Sequence, residues 1–228
     1  IRLIVEDNQY QVPRAVQAAN KLINRDNIFL MAGALGTPMN NAVLPDQLKA
    51  NVPNFFPITA ARQMYQPFHK LKFAGASTYY DQIRAGIVWM VANKGSKRIC
   101  TLYQDTDFGK EILEAVQDQT KAMNLPLIET ATNKPADTDF TAQITKLRSA
   151  NCDLVVLGTI IRDAIVPYAT ARKMGWDVTF LGQSANYDQI VAGAPGGVTE
   201  GFYTMAGTVL PYRDTASPTV VAWMDRYK

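Results

Sequence analysis

Short apolar runs that end in glycine or a small polar residue and open at once into a helical pattern recur along this chain. Clear copies are FLMAGALGTPMNNA at 29–42, ICTLYQDTDFGKEILEAV at 99–116 and LVVLGTIIRDAIVPYA at 154–169. Alternating strands and helices with connections of this length predict parallel strands joined by right-handed crossovers. In such sheets the loops at the carboxyl ends of the strands form the ligand crevice, so these loops are the first place to look for function.

Periodicity and turn residues predict elements along the whole chain. The first part has strands at 1–5, 28–32 and 55–58, with helices from 13 to about 24 and from 38 to about 50. Pro45 predicts that the second of these helices is short or kinked. The second part opens on an apolar helix at 81–93. It continues with strands at 98–103, 126–131, 153–158 and 178–182, helices at 109–123, 139–149 and 163–174, an extended run at 201–212 and a final helical pattern at 219–228.

The irregular stretch between 59 and 80 interrupts the repeat and favours two doubly wound halves over one barrel. A first crossover between the halves is predicted near 73–78, and the extended run at 201–212 indicates a return. The predicted fold class is therefore α/β, with two doubly wound parallel-sheet lobes joined by hinge crossovers. Residues 1–75 and 208–228 are assigned to lobe one and 76–207 to lobe two.

Composition narrows the class of function. The chain has 47% apolar and 19% charged residues, a net charge of +3 and scattered basic residues. This is typical of a globular protein, and no basic stripe indicates nucleic acid or an acidic membrane. No apolar run reaches the roughly 18 residues of a membrane span, and the first residues read as a strand rather than a signal peptide.

Candidate chemistry is sparse. His69 is the single histidine, and no nucleophile with a base and an orienting group is visible, so we predict neither catalysis nor a cofactor or metal. Asp105 and Asp107 follow a strand end and are interpreted as turn residues. Cys100 and Cys152 match no zinc pattern. Packing as small apolar residues is the favoured interpretation of the cysteines; a disulfide between neighbouring strands is the alternative.

Seven segments in order resemble one known family. They are EDNQYQVPRAVQAANKLI (6–23), MAGALGTP (31–38), VPNFFPITAA (52–61), RICTLYQDTDFGKE (98–111), DFTAQITKLRSANCDLVVLG (139–158), YATARKMGWDVTFLG (168–182) and GGVTEGFYTMAGTVLP (196–211). Together they resemble the branched-chain amino acid type of periplasmic solute-binding protein. The resemblance implies the type I fold of that family, with two lobes that close on a small solute and hand it to the membrane subunits of an ABC permease. Family members usually start one strand and helix earlier and continue further, so the chain looks like a fragment, with apolar sheet surface left uncovered.

The resemblance also implies binding residues in lobe one. Leu35, Gly36 and Thr37 match the loop that holds a ligand carboxylate. Gly36 allows close approach, Thr37 supplies a hydroxyl, and the helix that follows directs its positive end at an anion. The alternative is that Thr37 only caps the helix. The second loop contributes Ile58, Thr59 and Ala60, with Thr59 as the polar contact or as an ordinary turn hydroxyl, and Tyr79 either lines the cleft or packs at the hinge.

In lobe two, Phe108 matches a position where an aromatic ring closes over the solute; core packing is its alternative. Ile160 stands where relatives often have aromatic contacts. Arg162 begins a helix and has a planar fork suited to a carboxylate, or it pairs with Asp163 on the surface. At Gln183 and Ser184 the family's amino acid binders have a carboxylate that holds the ligand ammonium.

The predicted ligand follows from the lack of an acidic residue at Gln183 and Ser184. A buried ammonium without a counter-charge is costly, so an aromatic or aliphatic organic acid is favoured over a free amino acid. The predicted function is the periplasmic solute-binding component of an ABC importer. A ligand-sensing regulatory domain of the same fold is the alternative, and an α/β enzyme that uses Asp105 or Asp107 is the remote one.

Overall fold

The computed structural model describes residues 2–208, 212–214 and 216–227. The helices are α1 (Val12–Asn24), α2 (Thr37–Lys49), α3 (Tyr79–Lys94), α4 (Asp107–Ala122), α5 (Thr141–Ser149), α6 (Arg162–Lys173), α7 (Gln189–Ala192) and α8 (Pro218–Arg226). The strands are β1 (Met31–Ala32), β2 (Asn54–Phe55), β3 (Lys72–Phe73), β4 (Ile99–Gln104), β5 (Leu127–Asn133), β6 (Leu154–Gly158), β7 (Thr179–Gly182) and β8 (Tyr203–Thr204). The 3-10 turns are Arg62–Met64, Ser184–Asn186 and Pro195–Gly197.

The described strands form two parallel sheets, which confirms the predicted fold class of two doubly wound lobes. The first has the order β1-β2-β3 and the second β5-β4-β6-β7-β8. In the second sheet, side chains such as Ile99 and Val156 pack on the side of α3 and α4. Alternate residues such as Leu102 and Phe180 pack on the side of α5 and α6. Strands buried on both faces need near-continuous apolar runs, which is why their sequence signal is strong.

The first sheet is small, and its strands differ in part from those predicted from the sequence. Met31 pairs with Asn54, and Asn54 with Lys72. The predicted strand at 1–5 is wrong over its described part, because Arg2–Val5 forms no strand in the structure. Leu3 is 84% exposed and Phe29 is 85% exposed. A groove of 880 Å³ runs between this segment and β1, so apolar surface lies uncovered here, as the resemblance led us to expect.

Helix α2 keeps its predicted length in spite of Pro45. The helix runs through 13 residues, from Thr37 to Lys49. Pro45 lies on its exposed side. Water can therefore serve the carbonyl that loses its N–H partner there. Of the two outcomes predicted for Pro45, the short helix is wrong, because α2 continues beyond the proline to Lys49; the kink stays a prediction.

The two cysteines form a disulfide. Cys100 in β4 and Cys152 just before β6 have their Cα atoms 5.9 Å apart, and both side chains are buried. The favoured interpretation of two free, packed thiols is therefore wrong, and the alternative is confirmed. Strands β4 and β6 are neighbours in the sheet, which brings residues 52 positions apart together. Disulfides are typical of oxidising compartments.

The end of the chain follows the predicted order of elements. Strand β8 pairs in parallel with β7, and α8 starts after Ser217, whose side chain accepts a hydrogen bond from Val220 N. Residues 209–211 of the predicted extended run lie outside the described residues. Within the described part of the chain, no helix has both the length and the apolar character needed to cross a membrane.

Candidate functional site

The amino terminus of α2 is buried but has no side-chain cap. Its N-cap is Gly36, with a φ of 95° that favours glycine, and no side chain caps the helix. The Thr37 hydroxyl instead shares a 2.6 Å hydrogen bond with the Thr59 hydroxyl. The first turn of a helix leaves backbone N–H groups without intrahelical acceptors. An uncapped first turn is therefore a place where an anion gains hydrogen bonds and a favourable helix dipole.

The predicted binding loops after β1 and β2 meet. Leu35 and Ile58 form a parallel bridge, and Gly36 N donates to Ile58 O at 3.2 Å. The Asn40 amide donates to the carbonyl oxygens of Ala34 and Gly36, at 2.8 Å each. These bonds fix the conformation of the loop. The side chains of Leu35 and Ile58 stay 47% and 61% exposed.

Tyr79, the first residue of α3, connects these loops to the helices that pack on the larger sheet. Its backbone N donates to Ala60 O at 3.0 Å. Burial raises the pKa of Tyr79, and hydrogen bonds to its phenol oxygen from the Ala60 backbone and the Thr59 hydroxyl lower it by less. The Tyr79 ring meets the Phe108 ring edge-on, with centroids 4.9 Å apart. Thr37, Thr59, Tyr79 and Phe108 therefore form one continuous chain of contacts.

Phe108 is a core residue as well as a candidate contact. It is 3% exposed and belongs to the cluster on the α3 and α4 side of the larger sheet. Half-buried Ile160 packs against the same cluster. The structure therefore brings Tyr79 and Phe108 to the loops after β1 and β2, and it packs Ile160 against the cluster that contains both rings.

Arg162 is bonded to Asp163 and to the 135–137 loop. Its guanidinium bonds Asp163 Oδ1 at 2.6 Å and the carbonyl oxygens of Pro135 and Asp137 at 2.9 Å each. The pairing with Asp163, offered from the sequence as the alternative, is thus present. Burial raises the pKa of Asp163, and the bonds to Arg162 and Asn133 offset part of the rise.

The loop after β7 is tied to α3, to the loop after β6 and to itself. Ser184 N donates to the Gln82 side chain of α3 at 2.8 Å. Gln183 is fully buried; its amide donates to Thr159 O at 3.0 Å and accepts from Ala185 N at 2.6 Å. The amide at the position of the family's carboxylate therefore shapes the loop.

Sequence reasoning missed Tyr10. A Cβ placed on Gly36 would lie 3.1 Å from the Tyr10 ring, so this ring covers the loop. Burial raises the pKa of Tyr10, with smaller contributions from Tyr79 and Asp163, which the phenol therefore faces. The sequence signal that could have identified Tyr10 is its position: it is an aromatic residue in the polar turn after an apolar run.

The acidic residues considered in the sequence have structural partners. Asp105 lies 3.1 Å from the Lys110 ammonium, and Asp107 accepts from the Asn41 amide at 2.9 Å. Among the described residues, no three His, Cys, Asp or Glu side chains are placed to hold a metal ion.

A family model described as periplasmic binding protein matches residues 1–228. The chain belongs to the periplasmic binding protein family. This family is one of binding proteins rather than enzymes. A search of curated protein sequences finds no match.

Solved structures similar to this periplasmic binding protein support the fold. A leucine binding protein, LivK, from Thermotoga maritima is 19% identical, with a TM-score of 0.88 over 100% of this chain and 64% of its own. A branched-chain amino acid transporter protein from Thermus thermophilus with bound valine is 18% identical (TM-score 0.79; 87% of this chain, 52% of its own). A fatty acid transporter substrate-binding protein from Thermomonospora curvata is 22% identical (TM-score 0.78; 88% and 51%). The chain thus spans about half to two thirds of the length of these structures.

Proposed function

We propose that this periplasmic binding protein is the extracytoplasmic solute-binding component of an ABC importer, and that it binds a small carboxylate between its lobes. The observation that carries the proposal is the uncapped start of α2 beside the Thr37 and Thr59 hydroxyls. Preorganised N–H groups at a helix start favour an anion. Its partners would be the solute and the membrane subunits of the permease.

Lobe one, residues 1–75 with 208–228, would hold the carboxylate. Gly36 would let it approach the backbone, and Thr37 and Thr59 would set its orientation. Lobe two, residues 76–207, would enclose the remainder with Phe108, Ile160 and Ser184. Leu35, Ile58 and Ala60 would line the lobe-one wall, with Tyr10 and Tyr79 between the lobes. In this arrangement Arg162 would shape the 135–137 loop rather than meet the solute, because Nη2 donates to the carbonyl oxygens of Pro135 and Asp137 and Nε donates to Asp163.

The solute would be an organic acid without an α-ammonium group. Gln183 offers no negative charge, and its amide is already hydrogen-bonded to the Thr159 carbonyl oxygen and to Ala185 N. A buried ammonium without a counter-charge is costly. The names of the similar structures include leucine, valine and fatty acid. These solutes share a carboxylate and differ in the amine, so the carboxylate is their common requirement.

An extracytoplasmic, periplasmic location fits the disulfide. Cys100 and Cys152 are both buried and bonded, and such bonds persist in oxidising compartments. The location therefore agrees with the family and with the redox chemistry of the chain.

Matched ligand pairs test the proposed solute class. We expect 4-methylpentanoate, which is leucine without its amine, to raise the melting temperature by about 5–10 °C at a hundred times its dissociation constant. Leucine is expected to give no shift, because its ammonium would lack a counter-charge. Differential scanning fluorimetry measures both, with 3-phenylpropanoate and phenylalanine as the second pair.

Thr37→Val provides the matched variant, because it keeps the shape of the side chain and removes the hydroxyl. It should reduce the shift given by the acids. Stabilisation by leucine and not by 4-methylpentanoate would overturn the preference for organic acids. A panel of acids and amino acids without any stabilising member would overturn the binding proposal itself.

A further inference from the structure

One face of α4 carries acidic residues at helical spacing. Asp107, Glu111 and Glu114 are four and three positions apart, so they share a face. Asp107 accepts from Asn41 of α2, while Glu111 and Glu114 both contact Arg62. Asn41 and Arg62 belong to the part of the chain around the smaller sheet. These five residues form a polar seam between the two lobes, and we call them the seam.

Glu111 is the buried member of the seam. Its side chain is 1% exposed. Each carboxylate oxygen lies 3.2 Å from the backbone N of Arg62, and Oε1 lies 3.5 Å from the Arg62 Nε. The backbone of Tyr80 also hydrogen-bonds it. Glu111 therefore holds the 62–64 turn against α4 through main-chain donors.

A crevice of 320 Å³ lies at the seam, lined by Asn41, Gln63, Asp107, Lys110, Glu111 and Glu114. The Arg62 guanidinium bonds Glu114 and lies 4.1 Å above the Tyr80 ring. The titratable groups that face Glu111 come from three elements: the 62–64 turn (Arg62), α3 (Tyr79, Tyr80) and α4 itself (Asp107, Lys110, Glu114). Arg62 thus divides its charge between two carboxylates.

Burial has the largest effect on the pKa of Glu111. It raises the pKa from 4.5 to about 7, and the hydrogen bonds and charge of Arg62 offset only part of the rise. A raised carboxyl pKa means that the folded state favours the protonated form. The stabilising contribution is full below the unfolded value of 4.5 and is lost as the pH rises through about 7.

We propose that Glu111 couples closure of the seam to the uptake of one proton, so that the lobes are held together more firmly in acid than in base. The inference rests on the proposed function in one respect, namely that the lobes move relative to each other. When the seam opens, water reaches the Glu111 carboxyl. Its hydration then favours the ionised form again, and the proton is released.

The size of the coupling follows from the two pKa values. With 4.5 for the open seam and about 7 for the closed one, the closing equilibrium weakens on the order of fiftyfold between about pH 5 and pH 7.5. Solute binding closes the lobes, so the affinity for the solute would have the same pH dependence. Glutamine at position 111 keeps the shape and an acceptor oxygen but cannot ionise, so it removes the dependence.

Hydrogen exchange of the Arg62 amide reads the seam directly and needs no solute. The wild-type protein and Glu111→Gln are compared at the same pH, so the intrinsic pH dependence of exchange cancels. We expect the ratio of wild-type to variant exchange rates at Arg62 to rise on the order of fiftyfold between about pH 5 and pH 7.5. Glu114→Gln is the comparison variant, because the Glu114 side chain lies on the same face and is 51% exposed. The charge of Glu114 is the last and smallest of the causes that shift the pKa of Glu111, so this variant should keep most of the wild-type dependence.

A rate ratio constant within about threefold over that range would overturn the proposal. Loss of the dependence in Glu114→Gln would also overturn it, because the titrating group would then be the pair rather than Glu111. The solute screen has no part in this measurement. Failure of the screen and failure of the seam proposal are therefore separate results.

Discussion

Replacing Phe108 with alanine is expected to lower the free energy of unfolding by about 3–5 kcal/mol. Phe108 is 3% exposed, and its ring meets Tyr79 edge-on at 4.9 Å between centroids. Truncation removes buried apolar area, leaves a cavity in the cluster below the candidate site and breaks an aromatic pair. Equilibrium urea unfolding followed by circular dichroism measures the loss.

Phe108→Leu is the control, because it preserves most of the buried volume. We expect this variant to lower the free energy of unfolding by less than about 1.5–2 kcal/mol. If both variants bind 4-methylpentanoate as wild type does, Phe108 is a core residue only and its proposed contact with the solute is wrong. A loss of unfolding free energy below about 1 kcal/mol in Phe108→Ala would contradict the packing described here.

Removing the disulfide is expected to have an effect of similar size. The bond closes a loop of 52 positions between Cys100 and Cys152, which corresponds to about 4 kcal/mol of unfolding free energy in the chain-entropy model. The double variant Cys100→Ala/Cys152→Ala should therefore unfold at a much lower guanidinium concentration than the oxidised protein. Both cysteines are buried, so a mild reductant added to the folded protein should act slowly.

Two readouts check the disulfide. Thiol titration in denaturant should find no free thiol without reductant and two after reduction. Wild-type protein reduced in denaturant and then refolded under reducing conditions should match the double variant in stability. Free thiols in the unreduced protein, or a difference in stability below about 1 kcal/mol, would contradict the bond and its role.

The larger sheet could be predicted from sequence because its strands are buried on both faces. Runs such as Leu154–Gly158 are apolar without interruption and are followed by a loop and a helix, which leaves few alternatives. The segment Arg2–Val5 also contains three consecutive apolar residues, yet it forms no strand. A strand needs a partner for its backbone, and periodicity does not report whether one is present.

The candidate site was predictable in its loops and not in its contacts. Glycine and threonine after an apolar run located Gly36 and Thr37, because helix starts and strand ends have recognisable residues. The bond between Thr37 and Thr59, by contrast, depends on the pairing of two loops 22 positions apart. Sequence patterns do not specify such register, and the same holds for Tyr10 over Gly36.

Whether Cys100 and Cys152 are free or bonded could not be predicted from the sequence. Buried free cysteine and bonded cysteine have the same local pattern, a sulfur in an apolar strand. Only the order β4-β6 in the sheet decides between them. The acidic face of α4 was visible as a spacing, but its partner Arg62 lies 49 positions from Glu111 and follows a different strand.

A crystal structure of the protein grown with 4-methylpentanoate tests the central claim most directly. The expected result places the carboxylate at the first turn of α2, with an oxygen about 2.7–3.2 Å from a backbone N–H there and side chains of lobe two around the hydrocarbon end. An acid bound in the groove beside β1, or bound in the cleft with its carboxylate turned away from α2, would contradict the account.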